Sequence, residues 1–475
     1  MNLKHSLFIL VLSSSIQSYS QEGWDLSRCI STAWERNIDI QKGELNLEVS
    51  EITLRQNRYS LLPSLNGGAT HGYNWGQTID PFTNQFATDR VRNNNLFLSS
   101  NVTLYRGFTL QNNIKKSKTD LAASKEDLRR TQNDISLFVA QAFLSILLNE
   151  EQLKATEEQV AISQRQADRM KRLVDAGQAA RNNLFDLESQ LASDQLNLTN
   201  TQNNLVISML GLSTVLLLTP EEYAEFKLQG PDVIHMDLDK EVPEPLEIYS
   251  SASGQLPQIR AATLRVESSD VNLDIARGGR SPYITMSGSL GSGYSGNNII
   301  GLGIPMIDIQ TIGYVESSLD EVVSPRVSYE DYQTKEFSEQ LDDNFNQSMS
   351  LSLTIPIFNR MQVSSDISRA KLNYQLSKLD EQSAKNQLLQ DVQQAHADVL
   401  AARRSFSASE RSVAAVRLNF DNAEKRFEQE MINPVEFNDA KSRLAIAETQ
   451  LIRARYDLLF KLTIIDFYMG KTIDL

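Results

Sequence analysis

Alternation of apolar and polar residues, clear in two strands and weaker in two others, marks four strands along the chain, arranged as two pairs. In the clearest pattern a set of apolar residues points one way, and serine, threonine and asparagine point the other. The apolar members are Leu96, Leu98, Val102 and Leu104 in one strand and Met349, Leu351, Leu353, Ile355 and Ile357 in another. A period of two is typical of a strand with one apolar and one polar face. A weaker strand, rich in glycine and serine, precedes each of them. The predicted strands cover about residues 64–74, 94–105, 283–295 and 346–358.

Outside the strands the apolar spacing changes to three, four and seven residues, which predicts long helices. Residues 107–176 and 360–430 contain no proline and one glycine, Gly107, so each stretch can form a helix of roughly 100 Å. Helices that return after a turn show the spacing of a coiled-coil seam. The seam residues are Leu184, Leu187, Leu191, Leu198 and Leu205 in one and Phe437, Leu444, Leu451, Leu458 and Ile465 in the other. The sequence therefore predicts two helical hairpins, at about 107–212 and 360–470.

These elements form two copies of one unit. An offset of 253 residues aligns the hairpins without a gap and pairs Asp186 with Asp439. The order helix, strand, strand, long helix, long helix occurs over residues 21–212 and again over 246–475, with residues 213–245 as a linker between them. The fold class predicted from this order is mainly α with a small β part.

Shorter helices are predicted before each strand pair, over residues 25–58 and 245–278, and a proline follows each of them. The offset between these helices is 219 residues, so the second copy carries about 34 more residues, inserted between its two strands. We expect this insertion to form a loop outside the cell.

The N-terminal residues 1–20 are typical of a secretory signal peptide, with a positive start, a short apolar run and small residues before Gln21. A single cysteine, Cys29, excludes an internal disulfide. The longest later apolar run, residues 205–218, is too short for a transmembrane helix. Membrane insertion would therefore require a β-barrel. Four strands cannot close one, because the smallest membrane barrels have about eight, and we expect several subunits to share it.

The architecture resembles that of the TolC family of outer-membrane efflux and secretion channels. The resemblance is carried by Arg58–Pro63, by the strand-to-helix joins Val102–Gly107 and Leu353–Asn359, and by the hairpin tips. It implies a homotrimer with a twelve-stranded outer-membrane barrel, continuous with a twelve-helix periplasmic barrel. It also implies an equatorial belt, for which residues 213–245 are candidates. The implied partners are a periplasmic adaptor protein, an inner-membrane transporter and outer-membrane lipid, and the implied location is the outer membrane of a Gram-negative bacterium, extending into the periplasm.

The resemblance also implies roles for residues at the hairpin tips. Acidic residues after the second tip narrow the periplasmic entrance in the family, and Glu436 and Asp439 stand at the matching positions, with Asn183 and Asp186 at the first tip. A ring of carboxylates would repel itself and attract cations. Alternatively, Asn433-Pro434-Val435-Glu436 forms a helix start, in which Glu436 acts only as a capping residue.

Contacts with the adaptor fall by family position on Gly177, Leu184, Met431 and Ile432, although all four could be ordinary turn and seam residues. The arginine and tyrosine that latch the closed entrance in the family correspond here to Ile432 and Phe427. A glycine usual at the second tip is replaced by Glu430. These departures leave the latch open to question.

Other functions find little support in the sequence. A net charge of −14 argues against a nucleic-acid partner. The glycines Gly291, Gly293 and Gly296 match a dinucleotide fingerprint, but they lie in a predicted strand and loop without a following helix. We assign no catalytic residues, cofactor or metal. The alternative is a structural or adhesive coiled-coil protein, which would explain the helices but not the alternating strands. Within the channel interpretation, drugs and secreted proteins both remain open as cargo.

Overall fold

A computed structural model of the chain describes residues 23–87, 90–230, 238–429 and 431–473, apart from the side chains of residues 78 and 87. The predicted signal peptide, residues 1–20, lies outside the described residues, as do Glu430 and part of the linker. The chain is mostly helical with a smaller sheet part, which confirms the predicted class at that level. No described helix is apolar over a stretch long enough to cross a membrane.

Ten helices and ten strands alternate in two similar series over the described residues. The helices are α1 (Leu26–Arg36), α2 (Ile38–Tyr59), α3 (Thr109–Asp175), α4 (Arg181–Leu216), α5 (Pro220–Ala224), α6 (Pro245–Gln255), α7 (Pro257–Gly278), α8 (Phe337–Asp343), α9 (Gln362–Glu428) and α10 (Pro434–Tyr468). The strands are β1 (Ser64–Asn74), β2 (Thr78–Ile79), β3 (Phe86–Ala87), β4 (Val91–Arg106), β5 (Tyr283–Ser295), β6 (Ile299–Leu302), β7 (Met306–Tyr314), β8 (Glu321–Ser328), β9 (Asp331–Thr334) and β10 (Asn346–Thr354).

The helices before each strand pair are broken, whereas the sequence analysis predicted one helix in each place. Asn37 separates α1 from α2, and Leu256 separates α6 from α7, so the break falls at the same place in both copies. The side chain of Asn37 accepts a hydrogen bond of 2.9 Å from the backbone of Asp39, as an N-cap does. Pro257 starts α7, because proline lacks the donor needed inside a helix but is tolerated at its first position.

Both long helices start from a pair of left-handed residues. Gly107 and Phe108 have φ of 56° and 60°, and Arg360 and Met361, at the same offset of the repeat, have 55° and 63°. Both α3 and α9 then run for 67 residues. Gly107 is required for two reasons. Its left-handed conformation favours glycine, and a Cβ there would collide with the carbonyl of Gly278.

Four strands form one antiparallel sheet in the order β1-β4-β5-β10, so β1 and β10 are its edges. The hydrogen-bond registers place Gly67, Leu98 and Leu290 side by side, and a bulge interrupts the β4–β5 pair between Thr103 and Tyr105. We call the end of the sheet near Arg106 and Tyr283, where the long helices join, the proximal end. The opposite end is the distal end.

Three two-stranded ladders, β2–β3, β6–β9 and β7–β8, lie in the connections beyond the distal end of the strands. The last two, together with α8, make up most of the connection that carries the second-copy insertion. Helix α8 covers the part of β5 that extends past β10. Gln340 accepts a hydrogen bond of 2.9 Å from the Ser295 N–H and donates one of 3.1 Å to its carbonyl, replacing a missing strand.

The chain divides into two compact units. One contains Glu51–Asp120 and Glu267–Leu376, and therefore the whole sheet. The other contains Met1–Ser50, Leu121–Val266 and Ser377–Leu475, and therefore the greater part of both hairpins. The helical unit has two apolar clusters. The larger surrounds Phe143, Ile146, Val392 and Leu458, and includes Phe226 and Leu238 from the predicted linker. The smaller lies at the hairpin tips.

Candidate functional site

The two hairpin tips turn by different local means. At the first tip Gly177 has φ of 74°, and a Cβ there would meet no atom within 4 Å, so backbone conformation alone requires the glycine. At the second tip, α10 begins at an asparagine cap. The Asn433 side chain accepts a hydrogen bond of 2.9 Å from the Glu436 N–H, and Pro434 occupies the first helical position.

An apolar cluster, here called the tip cluster, joins the two hairpins behind these turns. Its buried members are Ala167, Met170, Leu184, Leu187, Phe420, Phe427, Phe437, Ala440 and Leu444. Phe437 is fully buried and stacks on Phe427 with ring centroids 4.6 Å apart. All four tip helices, α3, α4, α9 and α10, contribute to the cluster, so the two hairpins form one packed body at this point.

The predicted adaptor contacts differ in exposure because of this packing. Leu184 is only 9% exposed and belongs to the tip cluster, so its seam position, noted from the sequence, decides its role. Ile432 is partly buried against the same cluster. Gly177 is exposed, and Met431 is 64% exposed. Their contact with an adaptor, and that of Ile432, stays a prediction.

The predicted entrance residues are exposed or half-buried, but both acidic residues of the second tip have partners. Glu436 accepts a hydrogen bond of 3.1 Å from the side-chain amide of Asn433, the residue that caps α10. Asp439 accepts one of 2.9 Å from Arg443, one helical turn further along. At the first tip Asp186 is exposed and Asn183 is half-buried. The charge at the second tip is therefore smaller than two free carboxylates would give.

Phe427, at the position of the family's latch tyrosine, lies inside the tip cluster and has no hydroxyl to donate. Glu430 falls outside the described residues. A different contact joins the tips: Arg169 on α3 donates a hydrogen bond of 2.6 Å to the carbonyl of Glu428 at the end of α9. Cationic side chains are favourable at helix C-termini, where carbonyls lack partners. Arg169 was not among the residues predicted from the sequence.

A buried charged network next to the tip cluster also escaped the sequence analysis. Lys441 on α10 is 1% exposed, and its Nζ lies 2.6 Å from Asp194 Oδ2 on α4. Ser163 on α3 contacts both groups. Burial lowers the pKa of Lys441, and the hydrogen bond that its ammonium group donates to Asp194 opposes this effect. Opposite charges at interior positions of two seams were the available signal, because Lys441 stands between Phe437 and Leu444.

In the sheet unit, strand register separates an apolar face from a polar one. Leu96, Leu98 and Val102 share the apolar face with Met286 and Leu290 of β5 and Met349, Leu351 and Leu353 of β10. Leu104 stands at the bulge. Ile355 and Ile357 need correction, because β10 ends at Thr354 and they lie beyond it. Pro356 between them has no N–H for the ladder. Whether the apolar face meets lipid stays a prediction.

Comparison with known proteins gives the family. The sequence matches the profile described as outer membrane efflux protein over residues 29–216 and 248–471. The outer membrane protein TolC of Escherichia coli strain K12 is 23% identical over 468 residues, covering 96% of this chain and 84% of that protein. The outer membrane efflux protein BepC of Brucella suis biovar 1 is 18% identical over 436 residues, covering 91% and 82%.

A crystal structure of a membrane protein from Pseudomonas aeruginosa has the same fold, with a TM-score of 0.74 and 17% identity over 94% of this chain and 91% of that one. The resemblance to the TolC family, drawn from the repeat and its strand-to-helix joins, is confirmed. The chain belongs to the outer membrane efflux protein family: it is an outer-membrane channel protein of an efflux system in a Gram-negative bacterium, and it extends into the periplasm.

Proposed function

We propose that three copies of the chain assemble into one channel, in which three sheets share a twelve-stranded barrel and twelve long helices form a periplasmic tunnel. The observation that carries the proposal is an antiparallel four-stranded sheet with an exposed apolar face and two edge strands, β1 and β10. An edge cannot remain open in lipid, since each unpaired backbone group there costs several kcal/mol. Pairing β10 of one subunit with β1 of the next removes every edge.

Aromatic side chains support the membrane placement of this face. Tyr73 and Trp75 lie together at the distal end, with ring centroids 6.1 Å apart, and Tyr105 and Phe108 lie together at the proximal end at 5.6 Å. Outer-membrane barrels carry such aromatic girdles on both sides of an apolar band. Leu96, Leu98, Val102, Leu104, Met349, Leu351 and Leu353 would then face lipid.

The assembly is tested by its mass and location. We expect protein purified in detergent from outer-membrane fractions to have a native mass three times that of the mature chain, and to run as a heat-modifiable trimer on gels. Recovery as a water-soluble protein would instead favour the structural or adhesive coiled-coil alternative. A monomer in detergent that remains folded would contradict the shared barrel.

At the periplasmic end, the tips would bind an adaptor protein that connects the channel to an inner-membrane transporter. A groove of 520 Å³ lies between the two hairpin tips, lined by residues that include Gln166, Arg169, Asn183 and Met431. Exposed Gly177 and Met431 stand at the turns. The channel itself would serve as a passive exit duct, driven by the transporter, for small toxic compounds or for proteins.

The entrance would be narrowed by a ring of Glu436 and Asp439 from three subunits, with Asn183 and Asp186 beside it. Replacing Glu436 and Asp439 with alanine should raise single-channel conductance in planar bilayers and weaken block by divalent cations. A nearby carboxylate contributes about 1 kcal/mol to cation binding, so we expect roughly fivefold weaker block for each residue removed. Unchanged conductance and block would exclude both residues from the entrance.

Arg443 provides a control in which the block should change in the opposite direction, because its Nε lies 2.9 Å from Asp439 Oδ2. Arg443→Ala should free the Asp439 carboxylate and strengthen the block, whereas Asp439→Ala leaves the guanidinium and should weaken it. If both variants shift the block in the same direction, the effect comes from altered tip packing and not from charge at the entrance.

A further inference from the structure

The polar face of the sheet is lined by small, uncharged side chains. Register places Asn66, Ser99, Ser289 and Ser348 in one row across all four strands. Serine pairs bridge β5 and β10, with Ser287 and Ser350 hydroxyls 2.7 Å apart and those of Ser289 and Ser348 2.8 Å apart. The remaining positions of this face along the middle of the sheet are glycine, asparagine and threonine.

One residue departs from this composition. Phe97 is the only apolar residue of β4 on the polar face between Asn93 and Thr103, and it is 40% exposed. Its strand neighbours are both glycines, Gly68 on β1 and Gly291 on β5. A Cβ at Gly68 would lie 2.5 Å from Phe97 Cζ, so the ring lies flat across the missing side chain. The glycine gives the ring its place on the face.

A second phenylalanine reaches the same face from a loop. A Cβ at Gly293 would collide with the ring of Phe82, and Gly293 lies one row beyond Gly291 on the same side of β5. Phe82 belongs to the connection between β1 and β4. The part of that connection around Phe82 therefore folds back over the polar face near the distal end.

The fold-back is held by a buried carboxylate. Asp80 is 1% exposed, and its Oδ1 accepts hydrogen bonds of 2.9 and 3.0 Å from the backbone of Phe82 and Thr83. Its other oxygen accepts a hydrogen bond from the hydroxyl of Ser295, at the distal end of β5. Gln340 on α8 holds the backbone of Ser295 in turn. Phe82 is thus fixed by an anchored loop.

We propose that Phe97 and Phe82 form an aromatic constriction near the distal end of the channel, and that it selects what leaves. The inference rests on the proposed function, in which the polar face lines the lumen. Three subunits would then place six phenyl rings in a lumen that is otherwise lined by small, polar, uncharged side chains. Apolar constrictions disfavour water and hydrated ions. The constriction would pass amphiphilic organic solutes, which can contact the rings, more readily than ions of similar size.

Thiol labelling tests which face lines the lumen. The native Cys29 is fully buried, and burial raises the pKa of its thiol to about 12, so it should stay unreactive. In reconstituted trimers, Phe97→Cys should react with a membrane-impermeant methanethiosulfonate reagent, and Leu290→Cys, on the apolar face, should not. Reaction at position 290 but not at position 97 would overturn the face assignment, and with it the proposed function.

Conductance tests the constriction itself. In trimers that form pores, Phe97→Ala and Phe82→Ala should each raise single-channel conductance, and the double variant should raise it by roughly twofold. Asp80→Ala, which releases the loop but keeps both rings, should reproduce the effect of Phe82→Ala. A charged reagent bound to Phe97→Cys should reduce the current. If the pore forms and position 97 reacts, yet none of these changes alters current, the constriction is disproved while the channel stands.

Discussion

At the scale of single residues, the ion pair between Arg36 and Glu222 contributes to the stability of the fold, and this contribution depends on pH. Arg36 donates two hydrogen bonds to the Glu222 carboxylate, of 2.7 and 2.9 Å. The Thr219 backbone donates a third, of 2.9 Å, in a capping box at the start of α5. With Arg36 as the main cause, these bonds lower the pKa of Glu222 from 4.5 to about 2. The charged form is therefore the one that the folded chain stabilises.

The sign of the pH dependence follows from this lowered pKa. The folded state binds fewer protons than the unfolded state, so the contribution is complete above about pH 4.5 and is lost as the pH falls towards 2. Glu222→Gln should therefore melt below the wild type at pH 7, and the difference should shrink by pH 3, as followed by circular dichroism. Glu221→Gln, at the exposed neighbour, is the matched control. A difference that is independent of pH would assign the effect to packing.

Some residue roles at the tips have a signal in the sequence and others do not. Asn433 and Glu436 were predictable as a helix start, because capping depends on residues three apart. The partner of Asp439, Arg443, lies one turn further along the same helix, at the (i, i+4) spacing at which ion pairs form in helices. Leu184 illustrates a conflict between two sequence signals, seam spacing and family position, which burial resolves in favour of the seam.

At the scale of elements, the network of Ser163, Asp194 and Lys441 connects three helices of the two hairpins. The repeat makes it asymmetric. The residue equivalent to Asp194 in the second copy is Ala447, which is also buried, and the residue equivalent to Lys441 in the first copy is Glu188. The network therefore occurs once per chain, and it joins α10 of the second hairpin to α3 and α4 of the first.

Replacing Lys441 alone should destabilise the fold more than replacing Lys441 and Asp194 together. Lys441→Met leaves the Asp194 carboxylate buried without a counter-charge and should lower the free energy of unfolding by about 3–5 kcal/mol. Adding Asp194→Ala, the residue that the second copy uses, should recover most of the loss. Lys461→Met breaks an (i, i+4) surface pair on the same helix and should cost less than about 1 kcal/mol. These values are measured by denaturant unfolding.

Equal losses for the single and double variants would show that the network contributes no specific pairing.

The contact between Lys441 and Asp194 could not be predicted from the sequence, because the two residues are far apart in the chain and lie on different hairpins. The helix breaks at Asn37 and Leu256 were closer to reach, since an asparagine cap and Pro257 both signal a new helix start. Left-handed Arg360 and Met361 were not, because neither residue favours that conformation.

At the scale of the whole molecule, the order of elements and the repeat were predictable, because helix and strand periods differ and each recurs at a fixed offset. The strand order β1-β4-β5-β10 was not, since pairing between the two copies leaves no local signal. The insertion in the second copy was located but not described. It contains β7 and β8, in which Ile307, Ile309 and Val327 are exposed. Its placement outside the cell stays a prediction.

The two free edges of the sheet have a genetic consequence. If each subunit supplies one third of the barrel wall, no subunit can compensate for a neighbour whose β1 or β10 cannot pair. A chain with such an edge defect would still join assemblies through its intact edge. Expressed equally with the wild type, it would leave only about one trimer in eight free of defective subunits. Alleles that damage either edge strand should therefore be dominant negative, whereas alleles that remove the chain altogether should be recessive.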